Sequence, residues 1–237
     1  QGHIDFLAYA PYDSKYDKKV TKDNQELNFI VSPTIKDQKD LLWAKATNQT
    51  MANNSGTDKK VKFQFAHALS RLGYTVKLNK EYTGTTITLN KITLAGSKDG
   101  NQKAFYPNGT INLSTGIWTP STSDEKLNFE WFTNTSGTEL TTDATTNAVD
   151  NFLFVIPQDF SASETDKLYV IVEYTIKGYN GVKTPMKNTV YQKLEKDFEQ
   201  GKAYTINLFL GLTPIEFDVT TVEGWIDNNQ GEINSWN

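Results

Sequence analysis

The sequence predicts an all-β protein built from β-sandwiches. Short stretches in which apolar and polar residues alternate recur along the 237 residues, and turn residues separate them. Aromatic residues are frequent (13 Phe, 11 Tyr and 5 Trp), whereas the Ala, Leu, Glu and Lys periodicity of long helices is scarce. Many short alternating strands with turns between them are typical of a β-sandwich.

The first 60 residues contain three strand patterns. Residues 3–10 are apolar on both faces, which predicts a strand covered on each side, and Pro11 ends it. Shorter strands are predicted at 27–31 and 41–44. Residues 47–60 are almost entirely polar and predict a domain linker or a long surface loop.

The densest strand pattern is residues 61–78, VKFQFAHALSRLGYTVKL. Its apolar residues, including Phe65, lie at odd positions up to Leu69 and at even positions from Leu72 onward, and both sets are predicted to be buried. The slip between His67 and Leu72 requires a bulge, a bend or a strand that changes sheets. A helix is the alternative because several apolar residues also have helical spacing, but the β-branched and aromatic flanks favour a strand.

Residues that favour turns separate the predicted strands in the second half of the chain. The pattern at 85–94 changes phase between Leu89 and Ile92. Pairs of Asp-Gly and Asn-Gly, which favour tight turns, occur at 99–100, 108–109 and 180–181.

Further segments of the second half are predicted from composition and spacing. Residues 133–150 are rich in Thr, Ser and Asn and predict a solvated loop. Leu194 and Phe198 lie four apart and predict one short helix. The other strands are predicted at 127–131, 152–156, 168–176, 204–212 and from Ile215 onward.

Composition and motifs predict no active site. The net charge of −4 with mixed signs argues against a nucleic-acid-binding surface, and the absence of cysteine excludes disulfides and thiolate metal sites. No apolar run reaches the ~18 residues that span a bilayer. We therefore predict neither an enzyme nor a cofactor or metal.

The few residues that invite a functional reading have simpler structural explanations. His67 is predicted to be hydrogen-bonded and structural. Residues 97–103, SKDGNQK, lack the regular carboxylates and closing glutamate of a calcium loop. Trp131 alternates with Leu127 and Phe129 and is predicted to lie in the core, whereas the facing of Trp118 stays open.

Four segments carry a resemblance to a known family. They are F-x-F-x-HALSRL at 63–72, DFLAYAPY at 5–12, KDLLWAKA at 39–46 and GKAYTINLFLGLTPIEFDVTTVEGW at 201–225. Together, in this order, they resemble the fimbrillin-like family of Bacteroidales surface proteins, which includes pilins related to the FimA and Mfa fimbriae.

The resemblance implies a fold and a function. The fold would be two transthyretin-like β-sandwiches in tandem, with residues 1–60 as the remainder of the first and 61–237 as the second. The protein would be a structural or adhesive subunit of a fimbria on the outer membrane surface, joined to other subunits by β-strand exchange. The chain opens inside a strand pattern, so we expect an upstream segment that carries a lipid anchor.

The C-terminal segment contains the residues expected to act in assembly. In a donor strand, alternate apolar side chains fill pockets of a neighbouring subunit. The alternative is that Trp225 belongs to the core of its own chain and the tail is frayed. The predicted assembly residues are Ile215, Phe217, Val219, Val222 and Trp236.

A glycan-binding surface lipoprotein is the competing functional class. It predicts an exposed row of two or three aromatic residues, whereas a fimbrial subunit predicts an apolar groove or a detachable terminal strand. In either class, ligands on host or bacterial surfaces are conceivable partners. The sequence leaves open whether such a subunit forms the stalk, the tip or the anchor of a fimbria.

Overall fold

The computed structural model describes residues 2–13, 15, 20–21, 23–51, 60–147, 151–212 and 216–222, and these are almost all strand or connecting loop. The fully described helical segments include the 3-10 turns Ile35–Asp37 and Tyr179–Gly181. The all-β prediction is therefore confirmed. The strands are β1 (Ile4–Ala10), β2 (Glu26–Ile30), β3 (Leu42–Gln49), β4 (Ala66–His67), β5 (Ser70–Leu78), β6 (Thr86–Ala95), β7 (Asn108–Asn112), β8 (Trp118–Pro120), β9 (Phe129–Glu139), β10 (Thr145–Thr146), β11 (Leu153–Val155), β12 (Tyr169–Lys177), β13 (Met186–Lys193), β14 (Ala203–Leu210) and β15 (Glu216–Val222).

The strands form four sheets whose two largest members pack as a sandwich. One large sheet has the order β10-β5-β14-β15, with β11 also on β5, and the other has the order β13-β12-β6-β9. Tyr74 of β5 and Trp131 of β9 meet edge to face, with their ring centroids 5.0 Å apart. Two smaller sheets, β1-β3-β4 and β2-β7-β8, complete the described fold.

All pairings between the named strands are antiparallel except one. β5 and β14 run parallel, with Leu72 opposite Tyr204 and Leu78 opposite Leu210. This places β14, from near the end of the sequence, between β5 and β15. Because Ile206 and Leu208 of β14 are fully buried, this late strand lies at the centre of the core.

Strand β12 shows how the alternating pattern generates that core. Its side chains from Leu168 through Ile176 are buried at even positions, as predicted, while Glu173 is exposed. Each such aliphatic or aromatic side chain contributes about 1.5–3 kcal/mol on full burial. The phase change predicted in β6 is also confirmed, because the β6–β12 and β6–β9 pairings shift register next to Leu89 and Lys91.

The central stretch changes sheets at the predicted phase slip. β4 pairs with β3 in a small sheet, whereas β5 begins three residues later in the large sheet. The even positions from Leu72 onward are buried as expected. The prediction for Phe65 was wrong: its side chain is 41% exposed, because residues 60–65 lie outside any strand and no second sheet covers them.

Two loop predictions were wrong because strand pairing overrides local turn signals. Asn108 and Gly109 begin β7, which pairs with β2. A Cβ on Gly109 would lie 3.0 Å from the carbonyl oxygen of Thr119, so this glycine permits close strand approach and makes no turn. The predicted loop at 133–150 is strand as far as Glu139, and its Thr and Ser residues belong to a mostly solvent-facing edge strand.

The predicted helix and the predicted covering of β1 also differ from the structure. Leu194 and Phe198 are buried, but in an extended connection whose backbone bonds to Leu168 and Gln158. Ile4 and Phe6 of β1 are exposed, because β1 is the outer strand of a small sheet. The turns predicted at 99–100 and 180–181 are present, with positive φ at Gly100, Asn180 and Gly181.

The predicted domain division at residue 60 stays a prediction. Strand pairs join residues on its two sides: Leu27 of β2 lies opposite Ile111 of β7, and Leu42 of β3 lies opposite His67 of β4. Leu27 and Phe29 also belong to the same hydrophobic cluster as the sandwich strands. Any two-unit description must therefore accommodate a shared core.

Candidate assembly site

The C-terminal strand β15 lies at the edge of a large sheet. It pairs antiparallel with β14 over seven residue pairs, from Phe209 opposite Glu216 to Ala203 opposite Val222. Among the described strands it has no second neighbour. Its outer edge therefore presents backbone N–H and C=O groups in the arrangement that accepts another strand.

Three of the five predicted assembly residues lie on this strand. Phe217 is opposite Leu208, Val219 is opposite Ile206, and Val222 ends the strand. Val219 is half-buried and packs against the core of its own chain. Ile215 and Trp236 lie outside the described residues, as does Trp225.

A chain of hydrogen-bonded polar side chains connects β15 to β14 and β5, the next two strands of the same sheet. The Thr75 hydroxyl on β5 donates to the Asn207 carboxamide oxygen on β14 at 2.7 Å. The Asn207 amide nitrogen in turn donates to the Thr220 hydroxyl on β15 at 3.1 Å. These bonds fix the register of the edge strand from its exposed side.

Another open edge belongs to β1, near the start of the sequence. Within the described fold, β1 pairs with β3 alone. Phe6 on β1 contacts Phe63, with ring centroids 6.5 Å apart, and Phe63 contacts Phe65 at 6.2 Å. These three residues, here called the phenylalanine row, form an apolar strip in which Phe6 and Phe65 are exposed and Phe63 is half-buried.

The ring geometry of the phenylalanine row limits what it can bind. Phe6 and Phe63 are at 87° to each other, and Phe63 and Phe65 are at 39°. Neighbouring rings therefore do not form one flat platform. Such a strip suits interdigitating side chains better than the flat face of a sugar ring.

Sequence reasoning missed the phenylalanine row because it assigned Phe63 and Phe65 to a buried strand. The signal that was available is that both follow a long polar segment and precede the sheet change at His67. Residues 60–65 lead into β4 but are not themselves paired in a sheet. A one-sided apolar pair there indicates a surface strip.

The residues considered for chemistry hold structural positions. His67 Nδ1 is 2.5 Å from Asp40 Oδ2, in agreement with a hydrogen-bonded role. Trp131 is buried, as predicted, and its indole N–H donates to the Asn151 carbonyl. Trp118, whose facing was open, is half-buried, and its indole N–H donates to the Ala68 carbonyl.

Metal and membrane features were sought in the same part of the chain. No group of three or more His, Cys, Asp or Glu side chains in the described ranges is arranged to hold a metal ion. Asp99, in the loop at 97–103, accepts hydrogen bonds from Ser97 and Asn101 instead. Of the helical segments described, none is long and apolar enough to cross a bilayer.

Comparison with known proteins places this architecture among fimbrial proteins. A sequence model of the family described as fimbrillin-like matches residues 1–225. A fimbrial protein from Bacteroides vulgatus ATCC 8482 is similar with a TM-score of 0.69 at 22% identity, over 93% of this chain and 77% of that one. No curated protein matches the chain significantly.

Two further solved structures share the fold. A candidate cell adhesion protein from Bacteroides uniformis ATCC 8492 has a TM-score of 0.55 at 20% identity, over 94% of this chain and 73% of that one. Another, from Bacteroides ovatus ATCC 8483, has a TM-score of 0.53 at 19% identity, over 97% and 71%. At these identities the likeness concerns the fold.

Proposed function

Because the chain belongs to the fimbrillin-like family, we propose that it is a subunit of a bacterial cell-surface fimbria and joins its neighbours by β-strand exchange. Family membership supports the coarser part, a fimbrial or adhesion subunit at the cell surface. The observation that supports the finer part is that β15 and β1, from opposite ends of the described sequence, are both outer strands of their sheets.

The β1 edge is the proposed acceptor. An added strand would satisfy the outer backbone groups of β1, and its alternate side chains would cover the phenylalanine row. Phe6 is 38% exposed and Phe65 41%, so apolar surface is available for burial there. An exposed edge of this kind promotes aggregation unless a specific partner covers it.

The C-terminal segment, with Ile215, Phe217, Val219, Val222 and Trp236, is the proposed donor. In this chain β15 is bound to β14 by backbone pairing and by the contacts of Val219. Docking at the β1 edge of a neighbour would replace those intrachain contacts with backbone pairing along β1, so the net free-energy change is the difference between the two sets of contacts. Because donor and acceptor are different surfaces, the contact is head-to-tail and generates a filament.

A lipid anchor on an upstream segment, attaching the first subunits to the outer membrane, forms part of this proposal. So does the division into sandwiches 1–60 and 61–237, with an N-terminal sandwich that an incoming strand completes. Other fimbrial subunits are the expected partners.

A glycan-binding surface protein is the second candidate, and one observation favours it. The phenylalanine row brings together three aromatic side chains, of which Phe6 and Phe65 are exposed, and a row of two or three exposed aromatic residues was the feature expected of a glycan binder. The steep angle between the Phe6 and Phe63 rings is unfavourable for sugar stacking, so we rank this function below assembly.

Deletion of the C-terminal segment tests the donor. Removing residues 227–237 is expected to leave a folded monomer that no longer enters fibres, measured by fibre pull-down and electron microscopy. Removing residues from Ile215 onward is expected also to unfold the sheet that contains β14. Normal fibre incorporation of the shorter deletion would show that Trp236 and its neighbours are not the donor.

Substitution in the phenylalanine row tests the acceptor. Phe6→Ser with Phe65→Ser is expected to abolish fibre incorporation, with little change in melting temperature, because both side chains are exposed. Tyr191→Ser is the matched control, since Tyr191 is 50% exposed on a different sheet. If the double variant polymerises normally but loses binding on a glycan array, the glycan function replaces assembly at this surface.

A further inference from the structure

A groove of about 660 Å³ lies between the two small sheets. Its lining includes β4 of one sheet and β8 of the other, and each is an outer strand within the described fold. Pro157, just after β11, and Gln200 and Gly201, just before β14, complete the wall. Every lining residue belongs to the described part of the chain. We call this feature the intersheet groove.

The intersheet groove offers apolar surface that solvent can reach. Ile117 is 65% exposed, and Ala66 is also exposed. Trp43, Trp118 and Pro120 are half-buried, so each keeps part of its surface accessible. Accessible apolar surface gathered in a groove is a common mark of a ligand-binding site.

Both tryptophan rings of the groove are fixed from inside the protein. The Trp118 indole N–H donates to the Ala68 carbonyl at 2.7 Å. With its carboxamide oriented to satisfy both neighbours, Gln200 accepts the Trp43 indole N–H at 2.9 Å and donates to the Gly116 carbonyl at 2.8 Å. The two rings therefore contribute carbon surface to the groove, whereas the Gln200 carboxamide is a polar group held in one position.

The turn that carries the rim of the groove is also held in place. The Asn112 side-chain oxygen accepts the N–H groups of Ser114 and Thr115 at 2.9 and 3.1 Å. The Lys45 ammonium donates to the Ser114 carbonyl at 2.9 Å from the neighbouring small sheet. Thr115 and Ile117 thus line a rim whose shape exists before a ligand arrives, which lowers the entropy cost of binding.

The lining is uncharged. None of its residues is Asp, Glu, Lys or Arg. His67 lines the groove, but its Nδ1 is 2.5 Å from Asp40 Oδ2, so it supplies no uncompensated cation. A carboxylate or ammonium group that entered the groove would lose hydration without meeting an opposite charge. The lining therefore favours a neutral ligand.

The groove is poorly suited to an extended peptide. Strand addition requires a row of unpaired backbone groups, but β4 has only two residues and β8 only three. Proline-rich peptides dock in aromatic-lined grooves, but the indole N–H groups of Trp43 and Trp118 are already used within the chain and cannot bond to peptide carbonyls. A ligand with its own apolar faces and several hydroxyl groups fits better.

We propose that the intersheet groove binds a neutral oligosaccharide. The apolar C–H face of a sugar ring would lie against Trp118 and Ile117, and sugar hydroxyl groups would bond to the Gln200 carboxamide and the Thr115 hydroxyl. Apolar walls with a few fixed polar groups and a volume of several hundred Å³ are usual for such sites. The site rests on the adhesive part of the proposed function, for which it names the ligand class, and it is independent of strand exchange.

A glycan array tests the ligand class. The full chain is expected to bind neutral hexose or N-acetylhexosamine oligosaccharides, and to bind their sialylated or uronic-acid counterparts about tenfold more weakly or less. Calorimetry with the best-bound soluble oligosaccharide measures the affinity. Absence of binding to every neutral glycan, or a preference for acidic ones, would overturn the proposal. Binding of a proline-rich peptide in place of all glycans would assign the groove to a peptide and overturn it as well.

A charge placed at the rim tests the location. Ile117→Asp is expected to weaken binding of that oligosaccharide about tenfold or more, and the exposure of Ile117 should leave the fold intact. Ile30→Asp is the matched control, because Ile30 is 51% exposed on β2 and lies outside the lining, and it should leave the affinity unchanged. An Ile117→Asp variant that binds as tightly as the unmodified chain would show that the ligand lies elsewhere.

The two surfaces of the protein are separated by crossing their variants. Ile117→Asp is expected to enter fibres normally, and Phe6→Ser with Phe65→Ser is expected to bind the oligosaccharide normally. Loss of oligosaccharide binding in the phenylalanine variant, with binding retained in Ile117→Asp, would place the sugar at the phenylalanine row and refute the groove. Fibre incorporation is measured separately, so failure of the groove and failure of strand exchange give different results.

Discussion

At the scale of single residues, buried polar side chains replace missing backbone partners. The Asn147 side chain accepts the Tyr74 N–H at 2.9 Å, at the interruption between β10 and β11. The Ser70 hydroxyl, on a fully buried side chain, donates to the Glu199 carbonyl at 2.7 Å. These side chains form hydrogen bonds where the backbone hydrogen bonds between strands are incomplete. Without such partners, burying the polar atoms would cost several kcal/mol.

Two apolar residues of the central stretch are expected to differ in their contribution to stability. Leu72→Ala should lower the free energy of unfolding by about 2–5 kcal/mol, because the side chain is fully buried and truncation leaves a cavity. Phe65→Ala should lower it by less, about 1 kcal/mol, because Phe65 is 41% exposed and its truncation removes less buried surface. Urea denaturation measures both, and equal losses would contradict the burial described for this stretch.

The Asp166 carboxylate links stability to pH. Burial would raise its pKa, but the Lys126 ammonium at 2.6 Å, with hydrogen bonds from Tyr106 and Gln158, outweighs burial and lowers the pKa below its ordinary value. A carboxyl whose folded-state pKa is lowered stabilises the fold above its unfolded-state pKa, about 3.9. That contribution disappears as the pH falls through the folded-state pKa.

Asp166→Asn should therefore destabilise the protein at pH 7 and have progressively less effect below pH ~3.9. The expected loss at pH 7 is about 1.5–3 kcal/mol, typical of hydrogen bonds to a charged group. Glu195→Gln, in the exposed pair with Lys193, is the control and should change stability at neither pH. A loss that persists unchanged at pH 2 would exclude this explanation.

At the scale of elements, long alternating strands were predictable and short or edge strands were not. β12 and β14 have apolar residues at every second position, and burial on one face follows directly from that period. The start of β7 was missed because its Asn-Gly pair also favours a turn, and only the approach of Thr119 explains the glycine. Leu194 and Phe198 each enter the core separately from an extended connection. Their spacing of four residues therefore does not reflect a helical period.

The candidate site was predictable in part for the same reason. Phe217 and Val219 alternate, so β15 was identified as a strand, and its pairing with β14 follows from their adjacency in sequence. The phenylalanine row was not predictable, because it joins Phe6 to Phe63 and Phe65 across a long segment. Contacts of that kind depend on which small sheet each segment enters.

The turn before β8 offers a test at the element scale. Gly116 has φ +77°, and an added Cβ would overlap the Trp43 ring. Gly84 has φ +70° but open space around it. Gly116→Ala should therefore cost about 1–3 kcal/mol more than Gly84→Ala, because both incur backbone strain but only one also overpacks. Denaturation midpoints measure the difference, and equal costs would mean that Trp43 moves aside freely.

At the scale of the whole molecule, the pairing of β2 with β7 predicts the behaviour of a fragment. Residues 61–237 alone lack Leu27 and Phe29, which are buried in the shared core. The fragment is expected to lose cooperative thermal unfolding and to bind a hydrophobic dye, because Ile111 and Trp118 lose Leu27 and Phe29 as partners. Calorimetry measures this, and a sharp transition near that of the full chain would instead support residues 61–237 as an independent sandwich.

The parallel pairing of β5 with β14 determines when folding can finish. Tyr204 must find Leu72 across most of the chain, and such distant contacts slow folding to roughly milliseconds to seconds. During synthesis, β5 emerges early and waits with one edge unpaired until residues 203–210 leave the ribosome. The sandwich therefore closes last at its centre, and until then the unpaired edge of β5 is exposed to incorrect strand pairing.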